Sequence, residues 1–256
     1  MSRPVFGIFA LFGRAGLLVM IFIGALGCGR LPGDERVARD LAREAAIALR
    51  NGDSGAARGA ADQMRSLADE VPSIAMTVAD VYLRTGEIEL AVEFFDRVYD
   101  AQESQRPYLW RRGIALAFAE RWEDAAKQFE IHRNVNPHDV ENATWHFFCV
   151  AKSRGFDAAV ELLLPAPGDE RPPLEEVLQM YRTGDIDPVE SAIESLAADS
   201  VSRRSAEFYG YLYVAMYCDA KGQPDRARDA IQRSVAHAGR GYMGDVARVY
   251  AKRLAD

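Results

Sequence analysis

His132, His138, His146 and Cys149 are the residues of this chain that come nearest to a metal-ligand set. His146 and Cys149 stand three apart, a spacing that puts both on one face of a helix, and imidazole with thiolate is a donor pair suited to zinc. The same residues also read as packing. His132 and His146 fall at apolar positions of a helical repeat described below, and His138 follows Pro137 in a turn. The expectation is therefore no metal and no cofactor. Motifs for other chemistry are absent: no Walker loop, no H-E-x-x-H, no G-x-S-x-G and no paired C-x-x-C. Asn142-Ala143-Thr144 matches a glycosylation sequon but lies within an expected helix. Carboxylates are scattered over solvated faces, and no enzyme is expected.

Cys28 offers a different chemistry. The first 27 residues carry Arg3 and Arg14 and no acid, and their apolar run from Ala15 to Gly27 is shorter than the about 20 residues that span a bilayer. A basic start, a short apolar middle and small residues at the end describe a secretory signal. Ala25-Leu26-Gly27-Cys28 resembles the lipobox of bacterial lipoproteins, with Gly27 in the expected place and the order of Ala25 and Leu26 departing from it. The resemblance implies a thioether lipid on Cys28 and cleavage before it. Acyl chains burying CH₂ groups at about 0.8 kcal/mol each then tether the chain to a membrane. Gly29, which is not Asp, favours the outer membrane facing the periplasm. Plain secretion, or retention at the inner membrane, is the alternative.

Loss of residues 1–27 leaves 229 residues and, with two arginines gone from a total of −7, a charge near −9. An acidic chain with interspersed charges lacks the basic face of a nucleic-acid binder. Cys149 and Cys218 each sit in an apolar helical pattern, "WHFFCVA" and "VAMYCDA", and are expected to be buried thiols.

The elements that carry these residues repeat. Beyond Asp34 the composition turns to Ala, Leu, Arg, Glu and Asp with little proline, which reads as nearly all helix. Turn signals fall at Gly52, Gly86, Glu120 and Arg154, each 34 residues after the last, and Gly222 lies four periods beyond Gly86. That period is the signature of tetratricopeptide (TPR) helix pairs. The packing positions agree: Ala75, Val78, Ala79, Tyr82, Ala91 and Phe95 in one repeat; Leu109, Arg112, Gly113, Leu116, Ala125 and Phe129 in the next. Neighbouring repeats are degenerate, with Glu44 and Phe147 off pattern.

The expected fold is all-α, a TPR-like solenoid of helix pairs with a C-terminal capping helix. Residues 1–27 form the signal, 28–37 a tether, 38–164 the repeats, 165–173 ("PAPGDERPP") a loop, and 174–256 degenerate pairs, one further repeat and the cap. Asp187, Pro188 and Glu190 read as a capping box. Met243, Val246, Ala247, Tyr250 and Leu254 share a helical face that would cover the last repeat.

In such arrays the first helix of each pair lines a concave surface. Here that stripe is Met76, Asp80 and Leu83, then Trp110, Ile114 and Ala117, then Thr144, Phe148 and Ala151. It is mainly apolar and lacks the Lys and Asn of carboxylate-clamp TPR domains. It suits an amphipathic helix or apolar peptide, with Trp110 read either as a binding hot spot or as core packing one residue out of register.

The order "LWRRGIALAFAERWEDAAKQF", Asn136-Pro137, "ATWHFFCVAKSRGFDAAVELLL", a loop, "MYRTGDID" and "FYGYLYVAMYCDAKGQPDRARDAIQRSV" resembles the NlpI-type TPR outer-membrane lipoproteins over about residues 28–254. The resemblance implies an adaptor that dimerises, scaffolds cell-wall hydrolases and presents substrates to a periplasmic protease. A structural lipoprotein that only self-associates, or a non-catalytic accessory subunit of an envelope enzyme, is the alternative.

Overall fold

The chain reverses at regular intervals because one turn recurs. At Gly52 the amide donates to the Leu49 carbonyl (3.1 Å) and the next amide, Asp53, reaches back to Ala48 (2.9 Å). The same two bonds recur at Gly86, Glu120 and Gly222. Each closes a helix by a Schellman motif, which needs a left-handed residue after the last turn. Gly86 supplies it at φ 89°, whereas Glu120 adopts φ 60° with a side chain present, at some steric cost.

The computed structural model describes residues 33–69 and 72–255. These residues hold thirteen α-helices and no strand. Four pairs come first: α1 (Gly33–Asn51) with α2 (Ser54–Arg65), α3 (Pro72–Thr85) with α4 (Ile88–Ala101), α5 (Trp110–Phe118) with α6 (Trp122–Arg133), and α7 (Val140–Arg154) with the short α8 (Phe156–Glu161). Turns of a few residues force the partners to run antiparallel, and each helix packs on the next along the chain. This is the TPR-like solenoid that the period predicts.

Small and large residues meet where expected. Ala91, Phe95, Ala125 and Phe129 are buried, and the Phe129 ring lies over the backbone of Gly113 so closely that a Cβ there would stand 2.7 Å from Cζ. In the fourth pair Phe147 replaces the small residue. Its ring meets Phe156 of its own pair at 5.4 Å and, beyond the pair, Tyr181 at 4.8 Å and Tyr217 at 6.4 Å. That aromatic junction joins the repeats to α9 (Leu174–Thr183) and α11 (Val201–Ala220), and α10 (Asp187–Ser195) packs on both. Phe208, Tyr211, Tyr213 and Tyr217 of α11 are core residues.

The expected capping box at Asp187 is displaced. Asp187 is the first residue of α10; the N-cap is Ile186, which makes no side-chain cap bond, and the Asp185 carboxylate before it accepts from the Asp187 amide at 3.1 Å. Pro188 already lies inside the first turn, so the chain has to cap before it.

The last pair is α12 (Pro224–His237), packed on α11, and α13 (Tyr242–Ala255). The final helix does more than cover α12, because it also packs against α3.

Candidate functional site

Helices α3, α5 and α7 present their inner faces to one concave surface, and α13 lies in it. Tyr242, at the start of α13, meets Trp110 edge-on at 5.2 Å. Two turns on, Tyr250 stacks on Phe118 at 5.9 Å and meets Phe148 edge-on at 6.0 Å. Of the expected stripe, Trp110 and Phe148 therefore meet the protein's own C-terminal helix. Leu83, Ile114, Ala117, Thr144, Phe148 and Ala151 are buried, and Met76, Asp80 and Trp110 are half-buried. An aromatic stripe of this kind gains about 25 cal/mol for each Å² taken from water, and α13 is the nearest helix able to take it. Thr144 offers no side-chain donor to a ligand, since its hydroxyl donates to its own helix at Glu141 O, 2.8 Å.

Polar anchors hold α13 at both ends. Arg84 donates from Nε (2.9 Å) and Nη2 (2.7 Å) to Asp245 Oδ2, and Arg248 donates to Asp245 Oδ1 at 2.9 Å. Arg111 pairs with Asp80 at 3.3 Å and lies over the rings of Trp110 and Tyr242 at 4.9 and 5.0 Å. At the far end the Tyr250 hydroxyl donates to Asp219 Oδ2 at 2.7 Å, while Lys152 donates to Asp219 Oδ1 at 2.6 Å. Burial pushes the Asp80 carboxyl above its ordinary range, with Arg111 and then Arg84 opposing. Asp80 Oδ1, Arg111 Nε and the Tyr242 hydroxyl are enclosed without a well-formed hydrogen bond, so this end of the contact is only partly satisfied. Such a network stabilises less than its charge count suggests.

Tyr242, Asp245 and Arg84 were not legible as site residues. Nothing in the sequence singles out Asp245 or Arg84 among the chain's many charges, and only the spacing of Tyr242, Asp245 and Tyr250 along one side of the final helix could have marked that face.

The metal expectation can be followed residue by residue. His132 Nδ1 donates to Pro107 O (2.8 Å), His138 Nδ1 bonds Pro167 O (2.7 Å), and His146 Nε2 faces Glu130 at 3.3 Å. Burial lowers the His132 and His146 imidazoles, and it pushes the Cys149 thiol up. Cys149 and Cys218 are buried free thiols. Among the described residues no group of three His, Cys, Asp or Glu gathers as a metal site.

A second charged cluster pins the 162–173 loop. Arg171 donates to Asp169 (2.6 Å) and Glu141 (2.6 Å) and approaches Asp139 at 3.4 Å. Tyr213 donates to the other Glu141 oxygen at 2.6 Å. Burial raises both the Asp139 and Glu141 carboxyls. Every acid here already has a partner, so the cluster reads as a structural clamp.

Cys28 lies outside the described residues. Among those described, no helix is long and apolar enough to cross a membrane.

No family model matches this sequence, and no curated protein matches it significantly. Among solved structures it is similar to a tetratricopeptide repeat protein from Parabacteroides merdae ATCC 43184, with a TM-score of 0.45 and 13% identity, over 86% of this chain and 100% of that one.

Proposed function

We propose that this chain is a scaffold that binds proteins in the bacterial cell envelope, tethered to a membrane through lipid on Cys28, and that it performs no chemistry of its own. One observation carries the reading: the concave surface of the helix-pair array already receives an amphipathic helix, held by aromatic contacts and a buried acid. A surface shaped and charged for one such helix is a surface for helical or peptide partners. The envelope setting rests on the apolar run ending at Gly27-Cys28, and an envelope protease or cell-wall hydrolase is the partner class that the NlpI-type resemblance implies. The filled groove favours a second reading, a structural lipoprotein whose apolar stripe serves only its own packing and self-association.

Crosslinking in cells followed by pull-down of the full chain separates the two. One reproducibly enriched protease or wall hydrolase supports the scaffold, and self-crosslinks alone support the structural reading. Cys28→Ser tests the tether. The variant should leave the membrane fraction or stall in processing, and wild-type fractionation and migration would remove the lipoprotein assignment.

A further inference from the structure

At one rim of the groove the second half of α13 passes the turns that close α1 and α3, leaving a cavity of about 340 Å³. Gly52, Ser54 and Gly86 line it on one side, and Arg248, Val249 and Lys252 on the other. Arg84, Arg240, Arg248, Lys252 and Arg253 set five positive charges against Glu87 and Asp245, a local balance of +3 in a chain of net −7.

Those two acids do not neutralise the pocket. Asp245 is taken by Arg84 and one arm of Arg248. Glu87 is held from outside by Arg58 at 2.6 Å. Arg253 pairs with Glu120 at 3.7 Å and lies over the Phe118 ring at 5.7 Å. Arg240 and Lys252 make no ion pair among the described residues. Arg240 is nonetheless placed: its guanidinium lies against the Gly52 backbone, in space that any Cβ would occupy. Like charges gathered without counter-charge repel, and an anion relieves them.

The pocket also shows which anion it suits. Phosphate sites characteristically draw on a nest of converging glycine-turn amides, and here those amides are bonded within their own turns: Gly52 and Asp53 bond Leu49 and Ala48, while Gly86 and Glu87 bond Leu83 and Tyr82. The positive charge of the pocket is carried by side chains, and Arg84 already grips a carboxylate with two donors. From this we infer that the pocket receives an acidic peptide segment of a partner protein. Its carboxylates take Arg240 and Lys252, joining the linker before α13, α13 itself and the first repeat turn. The inference rests on the scaffold reading and names the chemistry of the partner.

The test uses the full chain and a fluorescein-labelled tetraglutamate peptide, followed by anisotropy at low and physiological salt. The peptide should bind, more weakly as salt rises, and Arg240→Glu with Lys252→Glu should weaken binding about tenfold or more. Both side chains are exposed, and the neutral pair Arg240→Gln with Lys252→Gln, checked for unchanged melting, should show a smaller loss of the same sign. The control is Lys127→Glu with Arg204→Glu, which alters net charge equally and lines no part of the pocket. No binding, or an equal loss in the control, overturns the site. Displacement by inorganic phosphate as effective as by unlabelled peptide overturns the carboxylate assignment. Peptide binding without a captured partner would remove the scaffold reading and leave the pocket; a captured partner without peptide binding would do the reverse.

Discussion

Arg84 places two donors on a single carboxylate oxygen of Asp245, across 161 positions of sequence, in an interior where their side chains are 7% and 11% exposed. The pair ties the second repeat to the last helix. Asp245→Ala leaves the buried Arg84 without the carboxylate it grips and should cost about 3–5 kcal/mol in urea unfolding; Arg84→Ala should cost less, because Arg248 still donates to Asp245. Replacing both with apolar residues should cost clearly less than the sum of the single changes. Single variants that unfold like wild type would mean that the pair does not hold α13.

Trp110 and Tyr250 should separate in the same assay. Tyr250 is buried between Phe118 and Phe148, and its truncation to Ala should cost about 3–5 kcal/mol, as for other large core rings. Trp110 is half-buried with one edge-on partner, and beyond its lost area Trp110→Ala forfeits about 0.5–1.5 kcal/mol of ring pairing. A Trp110→Ala loss equal to that of Tyr250→Ala would assign Trp110 to the core. If Trp110 also meets partners, its variant should weaken partner binding by about 2 kcal/mol per folded molecule.

Gly113→Val tests the close approach beneath Phe129. The added carbons have nowhere to go, and overpacking should cost about 1–3 kcal/mol. Circular dichroism should report the same helix content with a lower melting temperature. An unchanged melting temperature would show that the third pair can spread.

Stability should depend on pH in two opposed ways. The Asp139 and Glu141 carboxyls are raised, burial first among the causes, from ordinary values of 3.8 and 4.5. The folded state therefore holds these protons more tightly than the unfolded one. The stability they contribute is full below the ordinary values and is lost as pH climbs through the folded ones. Glu141→Gln should flatten that fall. His132 and His146 are lowered from 6.5, so their contribution is present above 6.5 and lost as pH falls through their folded values. NMR titration should find both imidazoles protonating below 6.5, and normal titration would contradict their burial as neutral rings.

The repeat was legible because its causes are local. A turn at Gly52, Gly86 and Glu120, and a small residue under a ring at Gly113 and Phe129, are written within one or two helices, so the period and the pattern report them directly. That Trp110 and Phe148 line the surface α13 meets follows from which helix of each pair turns inward, which is also a local matter. Which helix meets them was not legible. The contact of Tyr250 with Phe118 and Phe148 depends on the curvature summed over several repeats, and no local pattern carries that sum. Asp245 illustrates the difficulty: on its own helix it is one more acid in a first turn, and only Arg84, far away in sequence, gives it a role.

The clasp formed by α13 also has an order in time. Nearly all other packing joins helices that are close neighbours along the chain, so the array can assemble from its N-terminal end as the polypeptide is made, at about 5–20 residues per second. Tyr242–Ala255 arrives last. Until it does, Phe118 and Phe148 lack the ring that covers them. Biogenesis, and not only the finished fold, thus sets when that surface is accessible: a helper or partner that acts on the nascent chain meets an empty groove, and one that arrives later meets a closed one.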